Sequence, residues 1–216
     1  IYYLTGTLGW GLVWLPVEGE PVLLLRKGVE RAQLESPLRH ILPFKSYKEI
    51  TSLCAGCGSP LSSAIAVDKN GFNWSMAEMQ SRMEGVRFTS CDAVLAQARA
   101  VKSEWELEKI RRCGALHAKV LDEILPERIH PGMSEFDVAR TYVEAVFACG
   151  GSGMLRMNAP GEENFFGYAS ADTSGIYPTY YNGPLGCKGM CPAIPFMGNA
   201  ERLWQKRALL SIDMGF

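Results

Sequence analysis

The sequence predicts an α/β fold in two domains. Over the first 90 or so residues, short apolar runs of strand length alternate with turn residues and helical patterns. From about residue 96, two amphipathic helical patterns follow, each preceded by a capping sequence. A chain of 216 residues is long enough for one large or two small domains. We therefore place a boundary near residue 95, which gives domains of residues 1–95 and 96–216.

The first domain begins with an apolar run, residues 1–4, which we interpret as a strand. Two β-rich runs, residues 12–17 and 21–25, are separated by Glu-Gly-Glu and predict a hairpin. The remaining elements predicted in this domain are an amphipathic helix over residues 31–41, a strand at 65–67, a helix at 75–83, and a strand at 86–88 that leads to Cys91.

The second domain opens on the clearest local signal of the sequence. Ser103 and Glu106 have capping-box spacing, and apolar residues then recur at helical spacing as far as Leu125, so a long amphipathic helix should end near Pro126. Ser134 and Asp137 are spaced as a second cap, for a helix that Gly150 and Gly151 stop.

The last 66 residues carry no long periodic run. Residues 151–198 are rich in Gly, Pro and aromatic residues, which favours short extended pieces such as residues 165–169, separated by turns. Residues 209–212 are apolar and predict a buried strand that runs into Asp213.

Charge and hydropathy exclude some classes of partner. The chain has 22 Lys and Arg against 23 Asp and Glu, and a formal net charge of -1, so no global field directs it to nucleic acid or to anionic lipid. The longest apolar stretches, residues 8–17 and 22–25, are much shorter than the roughly 20 residues of a spanning helix. We expect neither nucleic acid nor a membrane as partner.

The cysteines indicate a reducing compartment. Seven Cys is an odd number for a disulfide scaffold, and the chain can bury a core without covalent links, so we expect a cytoplasmic protein. Cys54 and Cys57 form a CxxC pair, and Cys187 and Cys191 a CxxxC pair, spacings at which thiolates can bind zinc. We favour packing in Gly-rich turns, because the two pairs are far apart in the sequence and lack a zinc-ribbon context.

Few residues predict catalytic chemistry by themselves. His40, His117 and His130 are the three histidines, and no nucleophile motif such as GxSxG accompanies them, so we expect structural roles for His117 and His130. The loop of residues 183–189, GPLGCKG, matches neither the Walker pattern nor the dinucleotide fingerprint and predicts a plain tight loop.

Asp213 is the carboxylate that calls for an explanation. A carboxylate at the end of an apolar strand must be paired, hydrogen-bonded or bound to a metal to offset its desolvation. From the residues alone, a buried Asp that accepts backbone N–H bonds and a metal ligand are equally good readings. One carboxylate does not make a catalytic metal site, which needs at least two further ligands.

Four segments in order resemble the creatinase and Xaa-Pro aminopeptidase group of M24 metallopeptidases, the pita-bread family. IYYLTG at residues 1–6 is similar to a strand of the family's N-terminal domain, and RAVKSEWEL at 99–107 is similar to its first catalytic-domain helix. HPGMSE at 130–135 resembles its Pro-Gly turn, and LSIDMG at 210–215 resembles the strand that carries its first metal ligand.

This resemblance implies a ribonuclease-H-like N-terminal domain followed by the first part of a pita-bread catalytic domain. The family binds a pair of divalent ions, such as Mn, Co or Zn, through two Asp, one His and two Glu, and Asp213 matches the first of these. The remaining four would follow Phe216, so we expect a truncated chain that is inactive by itself and does not hold the metal pair. In the family the metals activate a water molecule that attacks the N-terminal peptide bond.

The resemblance has departures and leaves alternatives. The family usually places a His after an SG-x-N element, whereas residues 170–178 contain none. Arg156 and residues 162–168 match a stretch found in a subgroup, and an ion pair of Arg156 with Glu162 or Glu163 is the simpler interpretation. The function implied is that of a metal-dependent Xaa-Pro dipeptidase or aminopeptidase, with a short peptide as substrate and a homodimer as assembly. The alternatives are creatinase-like C–N hydrolysis and a non-catalytic protein that binds peptides or partners.

Overall fold

The computed structural model describes residues 1–71, 74, 78, 83, 85–153, 155–156, 163–164, 166–178 and 183–216. The chain divides into two compact units, Ile1–Val101 and Lys102–Phe216. Both units contain helices and small sheets, so the α/β prediction is confirmed.

The first unit is built on a three-stranded sheet in the order β1-β2-β3. The strands are β1 (Trp10–Trp14), β2 (Val22–Lys27) and β3 (His40–Pro43). Strands β1 and β2 are antiparallel, which confirms the hairpin, and β3 runs parallel to β2. The two faces of β2 differ: Val22 and Leu24 join one apolar cluster, and Leu23 and Leu25 another.

Two predictions for this unit need correction. Residues 1–4 do not form a strand, because Tyr2–Thr5 is a single helical turn (α1) closed by Gly6, whose φ is 74° and whose N–H donates to the Tyr2 carbonyl. The helix predicted over residues 31–41 is α2 (Val29–Glu35) and ends earlier. Pro37 explains the stop, since a proline disfavours helical backbone at the preceding residue, and Ser36 is extended.

The rest of the first unit follows the predicted alternation. Helix α3 (Ile50–Gly56) packs against β2. The two predicted strands are β4 (Ala64–Val67) and β5 (Arg87–Ser90), which pair in parallel. Helix α4 (Asp92–Ala100) ends the unit. Most of the helix predicted at residues 75–83 lies outside the described residues.

The second unit opens with a long helix that is not uniform. Helix α5 (Glu104–Lys119) carries the Ser103–Glu106 capping box and continues through a π-helical turn, Val120–Ile124, into α6 (Leu125–Arg128). The helical segment thus ends at Arg128, two residues beyond Pro126, close to the predicted end. A proline inside a helix lacks an N–H donor and clashes with the carbonyl four residues before it, and the wider π turn before Pro126 accommodates both.

Helix α7 (Glu135–Ala148) forms the centre of the second unit. Its Ser134–Asp137 capping box is present as predicted, and Val138, Tyr142 and Val146 are fully buried. This face packs on a two-stranded antiparallel sheet of β8 (Gly167–Ala171) and β9 (Leu210–Met214), so the predicted C-terminal strand is confirmed. Two short strands, β6 (Leu155–Arg156) and β7 (Glu163–Asn164), precede them. Within the described part of the chain, no helix is long and apolar enough to cross a membrane.

Candidate functional site

The β8–β9 sheet separates apolar and polar side chains onto opposite faces. Ala169, Ile212 and Met214 join the apolar cluster with α7. Because side chains alternate along a strand, the intervening residues Tyr168, Ser170, Ser211 and Asp213 belong to the other face. The polar face is therefore the side of the sheet where chemistry can occur.

Asp213 lies within β9, directly opposite Tyr168 on β8. It is half-buried, whereas Tyr168 is fully buried and donates a hydrogen bond from its hydroxyl to the Leu185 carbonyl at 2.6 Å. Burial raises the pKa of the Tyr168 hydroxyl, and the neighbouring Asp213 carboxylate raises it further. The sheet thus presents Asp213 beside a hydroxyl that stays protonated at neutral pH.

Gly167 permits the close approach of the two strands at this point. Its φ is 113°, in the region that favours glycine, and a Cβ there would overlap the Asp213 carbonyl oxygen. A side chain at position 167 would therefore displace the strand that carries Asp213.

A buried carboxylate at the start of α7 organises the other end of the sheet. Glu135 is fully buried and accepts backbone hydrogen bonds from Ala171 at 2.7 Å and from Asn199 at 3.1 Å. Arg202 approaches it to 3.8 Å and also donates to the Ala171 carbonyl. The burial of Glu135 has no signal in the sequence, because the first turn of a helix after a cap normally faces solvent.

Arg202 is itself held by several partners. It donates to the hydroxyl of Thr173 and lies 3.8 Å from the Asp172 carboxylate. Its charge is therefore shared between Asp172 and the buried Glu135, and it fixes the segment after β8 to the segment before β9.

Two adjoining cavities open beside this cluster, with volumes of about 570 and 460 Å³. Three residues line both of them: Lys188, Asn199 and Glu201. Asp172, Arg202 and Gln205 line the larger one, whereas Asp213 lines neither. The groove therefore lies at the Ala171 end of the sheet, about 10 Å along β8 from the position opposite Asp213.

Of the predicted cysteines, Cys191 lines the smaller cavity, whereas Cys54 and Cys57 lie in the first unit. Cys54 and Cys187 are buried, Cys191 is exposed, and all cysteines are free. Burial raises the pKa of both the Cys54 and the Cys187 thiol to about 11, which disfavours the thiolate that binds metal or attacks a substrate. Among the described residues, no three His, Cys, Asp or Glu side chains lie close enough together to hold a metal ion. Asp213 is thus not joined there by a second and third ligand.

The histidines are dispersed. His40 lies 3.3 Å from Glu20 in the first unit, and the His130 Nδ1 lies 3.1 Å from the Pro131 carbonyl in the interhelix turn. His117 packs edge-on against Tyr142, with 6.1 Å between ring centroids, and its Nε2 is buried without a hydrogen-bond partner among the described residues. None of the three lines the groove.

Of the described residues of the subgroup stretch, Arg156, Glu163 and Asn164 lie on the short β6–β7 pair, and Gly167 and Tyr168 lie on β8. Arg156 is the register partner of Glu163 across these two strands. Glu162, the other acidic residue considered for an ion pair, lies outside the described residues.

Comparison with known proteins identifies relatives of the fold. Residues 1–101 match the family model of the creatinase/prolidase N-terminal domain. An X-Pro aminopeptidase from Thermotoga maritima MSB8 aligns with 99% of the chain at 17% identity and a TM-score of 0.67. A prolidase from Pyrococcus furiosus aligns with 99% at 20% identity, also with a TM-score of 0.67. No curated protein matches the chain.

The solved structures are longer than this chain. The alignments cover 53% of the Thermotoga maritima chain and 54% of the Pyrococcus furiosus chain, and a Xaa-Pro dipeptidase from Bacillus anthracis is covered to 53% at 14% identity. The chain thus spans about half the length of the structures it matches. At these identities the likeness shows the fold, and it confirms the predicted match to the N-terminal part of pita-bread prolidases.

Proposed function

Because residues 1–101 belong to the creatinase/prolidase N-terminal domain family, we propose that the chain is part of a metal-dependent peptidase of the Xaa-Pro dipeptidase or aminopeptidase type. Its substrate would be a short peptide, hydrolysed at the N-terminal peptide bond. A cytoplasmic homodimer is the assembly we expect.

The position of Asp213 is the observation that carries this proposal. Its strand presents it on the polar face of the β8–β9 sheet, half-buried and beside the protonated Tyr168 hydroxyl. A carboxylate held in this way is suited to bind a divalent cation such as Mn²⁺, because oxygen ligands suit hard cations.

The described residues do not complete a metal centre, because they offer Asp213 without a nearby second and third ligand. The 216-residue chain should not hydrolyse Xaa-Pro dipeptides, and it should bind Mn²⁺ weakly.

The test compares the 216-residue chain with the longest natural reading frame that contains it. We expect the longer protein to hydrolyse an Xaa-Pro dipeptide with Mn²⁺ and to retain Mn²⁺ after dialysis, as measured by elemental analysis. Asp213→Asn should lower both by at least about tenfold, since it removes a charged ligand. Asp122→Asn, at an exposed position of the π turn, is the matched control and should change neither.

Other outcomes separate the alternatives. Undiminished hydrolysis and metal content in Asp213→Asn would exclude Asp213 as a ligand. Metal-independent C–N hydrolysis of creatine would favour the creatinase-like enzyme. Peptide binding without hydrolysis would favour the non-catalytic protein.

A further inference from the structure

Several hydrogen bonds hold the loop that carries Lys188. Backbone N–H groups of Gly186 and Cys187 donate to the carbonyls of Gly175 and Tyr177 at 2.7 and 3.0 Å, and that of Lys188 donates to the Ser174 hydroxyl at 3.4 Å. The backbone of the loop also requires glycine at positions 186 and 189. A Cβ at Gly186 would overlap the Tyr177 carbonyl oxygen, and Gly189 has a φ of 68° and packs on Pro195.

This loop presents the Lys188 side chain to both cavities. The ammonium group lies 4.6 Å from the centroid of the Tyr177 ring, a cation–π distance. Among the described residues, none of the ion pairs within 4.0 Å involves Lys188. The loop therefore holds a cation at the groove without an acidic partner in the described part of the chain.

Glu201 presents the opposite charge to the same two cavities. Its backbone is fixed, because the Asn199 side chain accepts hydrogen bonds from the N–H groups of Glu201 at 2.8 Å and Arg202 at 3.1 Å. Asn199 is in turn held by the buried Glu135. Within the residues that the structure describes, the Glu201 carboxylate has no cation within 4.0 Å.

The other charges of the groove are already matched. Asp172 lies 3.8 Å from Arg202, which also lies 3.8 Å from the buried Glu135 carboxylate. The charges left over are one ammonium and one carboxylate, accompanied by the Asn199 and Gln205 side-chain amides. A ligand that complements this pair carries one carboxylate, for Lys188, and one ammonium, for Glu201.

We propose that the groove between Lys188 and Glu201 is a binding site for a small zwitterion, of the class of free α-amino acids and unblocked short peptides. The site does not include Asp213 and binds without a metal ion. It therefore goes beyond the proposed peptidase activity and does not depend on it.

The test titrates the metal-free 216-residue chain, observed by NMR, with L-alanine, N-acetyl-alanine, alaninamide and alanyl-alanine. We expect saturable binding of L-alanine or alanyl-alanine with a dissociation constant on the order of 1 mM, as suits a ligand of few atoms. The tighter of the two identifies the occupant as amino acid or peptide. N-acetyl-alanine lacks the ammonium and alaninamide lacks the carboxylate, so each should bind about fivefold more weakly.

Two variants assign the charges. In Lys188→Gln, the zwitterion should bind about fivefold more weakly, and alaninamide, which lacks the carboxylate, should bind no more weakly than the zwitterion does. In Glu201→Gln, N-acetyl-alanine, which lacks the ammonium, should likewise bind no more weakly than the zwitterion does. Lys206→Gln, an exposed lysine that lines neither cavity, should bind as the wild type does.

Three results would overturn the proposal. The first is that neither zwitterion binds saturably up to about 50 mM, far above the expected dissociation constant. The others are equal affinity for the blocked and unblocked compounds, and a loss of affinity in Lys206→Gln equal to that in Lys188→Gln. The zwitterion should bind Asp213→Asn as tightly as it binds the wild type, whereas the proposed peptidase activity should fall in that variant. The two proposals can therefore fail separately. A protein without peptidase activity can still pass this test, and an active peptidase can fail it.

Discussion

Glu135 joins three parts of the second unit through one buried carboxylate. Glu135→Ala removes the acceptor for the Ala171 and Asn199 N–H groups and leaves Arg202 without its buried partner. We expect the free energy of unfolding to fall by about 3 kcal/mol, because unsatisfied buried polar groups keep their desolvation cost. Urea denaturation followed by circular dichroism measures the change.

Glu144 provides the comparison on the same helix. It is exposed and pairs with Arg140 at 2.6 Å, so Glu144→Ala should cost less than about 1 kcal/mol. Equal losses in the two variants would show that the Glu135 hydrogen bonds add nothing beyond an ordinary helix position.

Lys188 and Asp213 differ in how far the sequence alone indicates their positions. Asp213 stands out in the sequence because it interrupts an apolar run, and the sheet places it on its polar face. Lys188 is one of many lysines in the sequence, and its position in a groove depends on packing of its loop against Ser174, Gly175 and Tyr177.

At the scale of the element, the capping box of α7 should make the free energy of unfolding depend on pH in the acid range. The Ser134 hydroxyl and N–H groups donate to the Asp137 carboxylate, and together with Arg140 they lower its pKa from the ordinary value of 3.8. A lowered pKa in the folded state stabilises the protein above pH 3.8, and this contribution disappears as the pH falls through the folded-state value.

The expected outcome is a shallower acid dependence in Asp137→Asn. Its free energy of unfolding should decline less than that of the wild type between about pH 4 and pH 2, because the group that takes up a proton is missing. Urea denaturation at a series of pH values measures both slopes. Glu144→Gln removes a charge on the same helix outside the box and is the control, and a wild-type slope in Asp137→Asn would contradict the prediction.

The elements whose signals are local were predicted closely. Both capping boxes, the β1–β2 hairpin and the C-terminal strand depend on residues adjacent in sequence, whose backbone preferences act without distant partners. The turn at Tyr2–Thr5 was missed because a short apolar run fits a strand or a helix equally, and Gly6 with the Thr5 hydroxyl decides the outcome.

At the scale of the whole molecule, one buried thiol in each unit allows the packing of each unit to be tested separately. Cys54 is buried in the first unit and Cys187 in the second, whereas Cys113 and Cys191 are exposed. Burial raises the pKa of each buried thiol from 9.0 to about 11, so at pH 8 about 100-fold fewer of them are thiolates, and access is blocked as well.

With a maleimide at pH 8, Cys113 and Cys191 should therefore be labelled at least about 100-fold faster than Cys54 and Cys187. Mass spectrometry of the labelled peptides assigns the sites, and labelling in urea supplies the fully accessible reference. Fast labelling of Cys54 in the native protein would contradict burial in the first unit, and fast labelling of Cys187 would contradict it in the second.

The sequence by itself determined the α/β class, the capped helices, the strand that carries Asp213 and the resemblance to the creatinase and prolidase family, because these depend on local patterns and short motifs. Only the tertiary structure decided that Glu135 is buried, that Pro126 lies within a continuing helix, and that Lys188 and Glu201 line one groove. These features depend on contacts between residues distant in the chain, and no local preference specifies which distant groups meet.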